Sequence, residues 1–394
     1  MNLNRDFFKQ LYQDLEPGLR AAVDSAVEGI VDAKKNNGKV VVVTGSGPNL
    51  HEGVTCLIAE LINKGLIDGV STSSAVVAHE MAGVLDEVHR VDGKKLGLPG
   101  TMLPNGDIFE VTLMSEELLD QLKKEMIIDN DLIDRALQLE GKVIIKAAGN
   151  MAYPMGLRTE LLAKEIQFIA KSLGLPFEHI AGAGADERTM LGAARKRNIP
   201  YLVTVPQLIG GGMVGIAVAD SISIMERSSR IAAMMSSADV IIESAVALTQ
   251  EIHDGPFETH TGHGIWSKWE GFPAYSLEEK TLIRIDLDPN LKKACDFEKT
   301  SGTVQKAIDQ GLPKTKVMDI PFRMEMSGFA RLKNSIPIVG DIGIIWPIIA
   351  CLLEQKLDLK LDFISYPQQS REGKEMRKWI VEHIRPLQKD KLYL

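Results

Sequence analysis

Apolar and polar positions alternate along the chain in two rhythms. Short β-branched runs read as buried strands: Val40–Thr44, Ile67–Ser71, Val143–Lys146, Pro200–Val205, Asp239–Glu243, Thr281–Asp286 and Ile336–Val339. Between them lie stretches with apolar residues at helical spacing. Phe7, Leu11, Leu15, Leu19, Ala22 and Val23 share a face in one or two leading helices, and Pro17 suits the first position of the second. Helices are predicted over Val54–Lys64, Val76–His89, Leu157–Leu173, about Gly215–Ser236, Asp341–Glu354 and 371–385. His179–Glu187 reads as a short strand and glycine turn leading into a helix through Arg197.

Strand followed by helix, repeated, is the grammar of a parallel sheet with helical crossovers. The predicted fold is therefore α/β, a doubly wound and mostly parallel sheet related to the Rossmann type. Residues 91–140 break the rhythm with a Gly/Pro loop (Gly93, Gly97, Pro99, Gly100, Pro104, Gly106) and a charged helical stretch, Ser115–Glu140. Leu118, Leu119, Leu122, Ile127 and Ile128 need burial, so this is an ordered excursion, a lid or an oligomer contact. The expected partition is 1–38 N-terminal helices, 39–355 the α/β domain with an insertion at about 91–140, and 356–394 a C-terminal helical extension.

Composition narrows the function classes. The chain has 394 residues, 45% of them apolar and 25% charged, as in globular proteins. A net charge of −8 argues against nucleic acid as the main partner. Cys56, Cys295 and Cys351 are widely spaced, with no CxxC, and read as buried thiols in a reducing compartment. No signal-peptide pattern opens the chain, and Ile336–Leu353 is broken by Gly and Asp before it could span a membrane. The expectation is a cytoplasmic protein with a small-molecule substrate.

Candidate chemistry gathers at the ends of the predicted strands. Thr44, Gly45, Ser46, Gly47, Pro48, Asn49, Leu50, His51, Glu52 and Gly53 follow the first strand and precede a helix. Such a turn presents backbone N–H groups to an anion. It matches neither G-x-x-x-x-G-K-[ST] nor G-x-G-x-x-G, because Leu50 stands where the third glycine belongs. A ligand-free tight turn, with Asn49 or Glu52 as a cap, explains it too. Thr72, Ser73 and Ser74 are hydroxyls after the second strand, able to bind phosphate or ribose or to cap the following helix, which carries His79. Gly149-Asn150, Gly182–Gly184 and the triple glycine Gly210, Gly211, Gly212 also fall where strands should end. Asp286 and Asp341 place acids at strand ends, suited to ribose hydroxyls or to helix capping.

A second concentration lies in residues 249–272. Three of the eight histidines, His253, His260 and His263, occur there with Glu258, and Lys268 stands between Trp266 and Trp269. General acid–base roles suit His253, Glu258 and His260. Partial desolvation of Lys268 would favour base or nucleophile behaviour. The spacing is not that of HExxH, so no metal is expected, although a zinc site on the three histidines is an alternative. A hydrogen-bonded surface loop is the bland reading.

Taken together, these segments resemble the NAD-binding domain shared by deoxyhypusine synthase-like proteins and the archaeal ornithine cyclodeaminases once labelled LOR/SDH. Gly47–Gly53 with Leu61–Asp68 is similar to the cyclodeaminase turn and its "LI..GYVDAL"; Ser74–Glu80 resembles "NALAVHD"; Ser237–Ile242 resembles "GADLVLM". Asp286–Asn290 is similar to "DINPAVV" and Gly340–Gly343 to "TDVG". Trp266-Ser267-Lys268 resembles the synthase "WGKI" lysine segment. The resemblance implies NAD at the strands' carboxyl edge, a homo-oligomer (dimer or tetramer), and transient oxidation of an amine or amino acid by an NAD-dependent lyase, transferase or oxidoreductase. Its cofactor residues would be Thr44–Asn49, His51, Thr72–Ser74, Gly210–Gly212, Asp286 and Asp341, with Lys268, His260, Glu258, His253 and His79 for catalysis. Two other classes fit the same residues: a nucleotide- or metabolite-binding protein without turnover, and a metal-assisted hydrolase using His253, His260 and His263.

Overall fold

The computed structural model describes residues 1, 3–45, 47–103, 106–147, 152–204, 208, 210–244, 277, 279–312, 319–320 and 332–393. Nine strands are present among them: β1 (Val40–Val43), β2 (Gly69–Thr72), β3 (Leu85–Asp92), β4 (Ile108–Leu113), β5 (Lys142–Ala147), β6 (Tyr201–Val203), β7 (Val240–Glu243), β8 (Thr281–Asp286) and β9 (Ser335–Val339). Six form one sheet in the order β6-β2-β1-β7-β8-β9, and every pairing in it is parallel. Counting only this sheet's strands along the chain, the order is 3-2-1-4-5-6, the doubly wound dinucleotide-fold arrangement. The fold is α/β, as the alternating pattern predicts.

Side-chain alternation splits each strand between two cores. Val40, Val42, Val70, Ile242 and Ile283 point into one, beneath the helices Pro17–Lys35, Val54–Asn63 and Ile342–Lys356. Val41, Val43, Leu202, Ile241 and Leu282 point into the other, beneath Ile224–Ser237 and Asn290–Ser301. Burial on both faces is why β1 is an unbroken run of valines and β7 opens with three apolar residues.

Four local readings are corrected. The helix predicted over 76–89 spans Ser74–Met81 and ends before Leu85–Asp92, which is the central strand of a second sheet ordered β4-β3-β5. Val84 takes φ 71°, which turns the chain out of the helix. Val143–Lys146 belongs to that same antiparallel sheet, not to the main one: Val88 pairs with Ile144 and with Thr112 on its other side. His179–Glu187 is not a strand; the helix Phe177–Gly184 buries Phe177, Ile180, Ala181 and Gly184 at i, i+3, i+4 and i+7. Gly182–Gly184 therefore lies within a helix rather than at a strand end. The long helix expected at 215–236 is two, Met213–Ala219 and Ile224–Ser237, the second capped by Ser223.

Candidate functional site

β1 is the strand at which the order reverses, with β2 on one side and β7 on the other. Ligands of open α/β sheets bind outside the carboxyl ends of the strands at such a point. The turn that leaves β1 there is the one singled out by its glycines. Gly47 takes φ 67° and ψ −116°, which a side chain would resist, and Pro48 opens a single helical turn, Pro48–His51. The N–H groups of Gly45, Gly47 and Asn49 have no partner among the described residues.

The ladder continues one residue past the strands. Thr44 N–H donates to Ser71 O at 3.0 Å, Thr204 N–H to Thr72 O at 2.9 Å and Ser244 N–H to Val43 O at 2.8 Å. This aligns Thr44, Thr72 and Thr204 along one edge. All three are buried, and none of their hydroxyls has a partner among the described residues. Asp286, at the end of β8, has one oxygen held by Asp288 N–H at 2.9 Å and the other, buried Oδ2, without a partner among the described residues. Burial, its largest influence, raises the Asp286 carboxyl above the usual range. Orphaned buried hydroxyls, which can donate to phosphate oxygens, and an orphaned carboxylate oxygen, which can accept from ribose hydroxyls, suit the groups of a dinucleotide.

Other expected ligand groups also bond within the protein. Asn49 Nδ2 donates to Ser244 O at 3.2 Å, the Ser244 hydroxyl donates to Asn49 Oδ1 at 2.7 Å, and Trp346 Nε1 donates to Ser244 Oγ at 2.8 Å. Ser73 caps its helix by accepting from Val76 N–H at 3.3 Å, and Ser74 Oγ accepts from Gly211 N–H at 2.9 Å. A Cβ on Gly211 would lie 2.5 Å from the Ser74 carbonyl, so Gly211 is glycine because two strand-end turns touch there. Gly210 and Gly212 flank it on the β6 side. Asp341 caps the helix Ile342–Lys356 through Gly343 N–H at 2.7 Å. Ser46 lies outside the described residues, as do Lys268, His260, Glu258 and His253, together with His263 and Gly149-Asn150.

His79 is brought to this edge, and the structure adds neighbours that no motif indicated. Burial first, then the charges of His51 and Lys146, pushes the His79 imidazole down to about 4. Burial and Arg377 lower His51 as well. Both rings are thus neutral at pH 7, and His79 Nδ1 has no partner among the described residues. Lys146, on β5, ion-pairs Glu110 of β4, whose carboxylate also accepts from Arg90 Nε at 2.9 Å. Beside them Asp86 of β3 accepts from Thr112 Oγ1 at 3.3 Å, and burial raises it to about 6 against the pull of Lys146. The antiparallel sheet thus supplies one wall of ionisable groups next to the carboxyl edge. Such a cluster, with pKa values driven apart, can exchange protons near neutrality. The remaining buried charge is structural. Glu243 and Arg284, paired neighbours on β7 and β8, meet at 3.0 Å with both side chains fully buried. Glu80 accepts from Met190 N–H, Leu191 N–H and Tyr201 O–H at 2.8–3.0 Å.

The three cysteines are free and buried, and burial pushes Cys295 up to about 12, so none is an activated thiol. Among the described residues no group of three His, Cys, Asp or Glu could hold a metal, and no helix is long and apolar enough to cross a membrane.

No protein-family model and no curated protein matches the chain. Among solved structures, AgrE in its ternary complex with ornithine and NAD+ superposes at TM-score 0.40 and 14% identity, over 88% of this chain and 34% of AgrE. A conserved, proposed LOR/SDH protein from Methanococcus maripaludis S2 gives TM-score 0.39 and 12% identity, over 91% of this chain and 70% of that one. A proposed deoxyhypusine synthase from Entamoeba histolytica gives TM-score 0.42 and 10% identity, over 92% and 99% of the two chains. The chain spans about a third of the length of AgrE. The fold assignment itself rests on the strand order.

Proposed function

We propose that this chain is an NAD-binding enzyme that acts on a small amine or amino-acid-like substrate by transient oxidation at the cofactor. The observation that carries the reading is the 3-2-1-4-5-6 strand order with the Gly47 turn at its reversal point. The N–H groups of Gly45, Gly47 and Asn49 would hold the pyrophosphate, and Thr72 and Asp286 Oδ2 would accept from ribose hydroxyls. When bound, NAD would accept and return a hydride. Neutral His79 would take a proton from the substrate nitrogen at Nδ1, and Asp86 or the Glu110–Lys146 pair would orient the amine. Lys268, His260, Glu258 and His253 are the further candidates for proton transfer. The proposed cofactor-binding unit is residues 39–355, and a homo-oligomer in the cytoplasm is part of the same reading.

Calorimetric titration with NAD tests the first half. Saturable binding is expected, and no heat and no thermal shift at millimolar NAD would end the proposal. Turnover of an amine panel, read as reduced nicotinamide or as deaminated product, tests the second. Loss of turnover with retained NAD binding in Lys268→Ala or His260→Ala supports catalysis by that segment; full turnover in both variants returns the chemistry to His79 and its neighbours.

A further inference from the structure

The amino edge of the main sheet, opposite the carboxyl edge, carries a different chemistry. A cavity of about 440 Å³ opens beside Lys39, Asn198 and Pro200, the residues that lead into β1 and β6. A second cavity of about 430 Å³ lies on the outer side of the helix Phe177–Gly184. The two share His179 and Arg195. Each falls within the range of about 300–1,000 Å³ typical of small-ligand sites.

Cations predominate in the lining of this junction, although Glu226 pairs Arg230 at 2.6 Å. Lys39, His179, Arg195 and Arg230 line the first cavity, and its one carboxylate, Glu178, is buried and consumed by Arg227 and by Val203 N–H. The guanidinium of Arg195 and the ammonium of Lys39 have no partner among the described residues. Cationic charge is felt locally: after burial, the charges of Arg195 and Arg230 lower the His179 imidazole.

The second cavity is apolar and its walls are unusually exposed. Phe168 is 74% exposed, Leu173 62% and Tyr393 63%, and all three converge on it. Leu191 and Met234 continue the apolar lining into the first cavity. Exposed large apolar side chains that gather on one concavity mark a binding surface more often than scattered ones do. A cation at the meeting point of two apolar lobes fits a molecule with one anionic head and a hydrocarbon body.

We propose that this groove is a binding site for a small amphipathic carboxylate, its head held by Arg195 and Lys39 and its chain lying along Phe168, Leu173 and Tyr393. A guanidinium fork holds a carboxylate through two parallel hydrogen bonds, which an alcohol of the same length cannot match. The site is independent of the proposed cofactor edge.

Titration of the full chain with decanoate below its aggregation concentration, beside decanol and acetate, tests the assignment. Saturable one-to-one decanoate binding is expected, with decanol and acetate at least tenfold weaker. Arg195→Gln and Phe168→Ser should each weaken decanoate at least fivefold. Both residues are exposed, and circular dichroism would confirm that the variants keep the fold. No saturable decanoate binding, equal binding of decanol, or unchanged affinity in both variants would overturn the proposal.

Discussion

Asn49 and Ser244 exchange two hydrogen bonds, at 3.2 and 2.7 Å, between positions 195 apart in sequence. They join the turn after β1 to the end of β7, the two strands between which the sheet reverses direction. Trp346 adds a third bond to the same hydroxyl. The crevice expected to hold a ligand is thereby pinned before any ligand arrives. Asn49→Ala should remove both bonds and leave Ser244 underpaired, costing about 1–3 kcal/mol. Denaturant unfolding measures that loss, and an NAD titration of the same variant should show weakened affinity.

Gly211 and Gly210 form a matched pair of tests. A Cβ at Gly211 would sit 2.5 Å from the Ser74 carbonyl, whereas the nearest atom to one at Gly210 is Ser74 Oγ at 3.9 Å. Gly211→Ala should force the turns after β2 and β6 apart, at about 1–3 kcal/mol. Gly210→Ala should lie within about 0.5 kcal/mol of the parent. Equal thermal midpoints for the two variants would contradict the close approach.

The buried pair Glu243–Arg284 predicts a strong asymmetry. Arg284→Met takes the guanidinium away from the buried Glu243 carboxylate and should cost about 3–5 kcal/mol. The double variant Glu243→Leu with Arg284→Met should recover part of that loss, since neither charge of the pair remains. Chemical unfolding of the single and double variants checks the sign.

His79 and Asp86 give opposing pH dependences. The His79 value lies near 4 in the folded chain and 6.5 when exposed, so the unfolded state binds its proton first as pH falls. Its contribution is present above 6.5 and is lost as pH falls toward 4. Asp86 lies near 6 folded and 3.8 exposed. Its contribution is present below 3.8 and is lost as pH rises through 6. His79→Asn should therefore flatten the acid limb between pH 6.5 and 4, and Asp86→Asn should flatten the rise-linked loss between 3.8 and 6. Midpoint measurements across that window separate them.

The strands of the main sheet were legible because burial on both faces favours apolar, largely β-branched residues, as in Val40–Val43 and Val240–Ile242. The turn at Gly45–Gly53 was legible for the same local reason, since a strand end, two glycines and a proline constrain the backbone directly. Nothing local marked Leu85–Asp92 as a strand: its polar content suits a helix end, and only pairing with β4 and β5 on both sides makes it extended. The same pairing carries Lys146 and Glu110 to the neighbourhood of His79, so the proton-exchanging wall could not be found by motif. The structural role of the Asn49 side chain could not be read locally, because its partner lies 195 positions away. Short-range sterics and burial pattern thus determined the strands of the main sheet and where the turn sits. Strand order, and with it the choice of which polar side chains face each other and which are spent holding the fold together, was decided by contacts between distant segments.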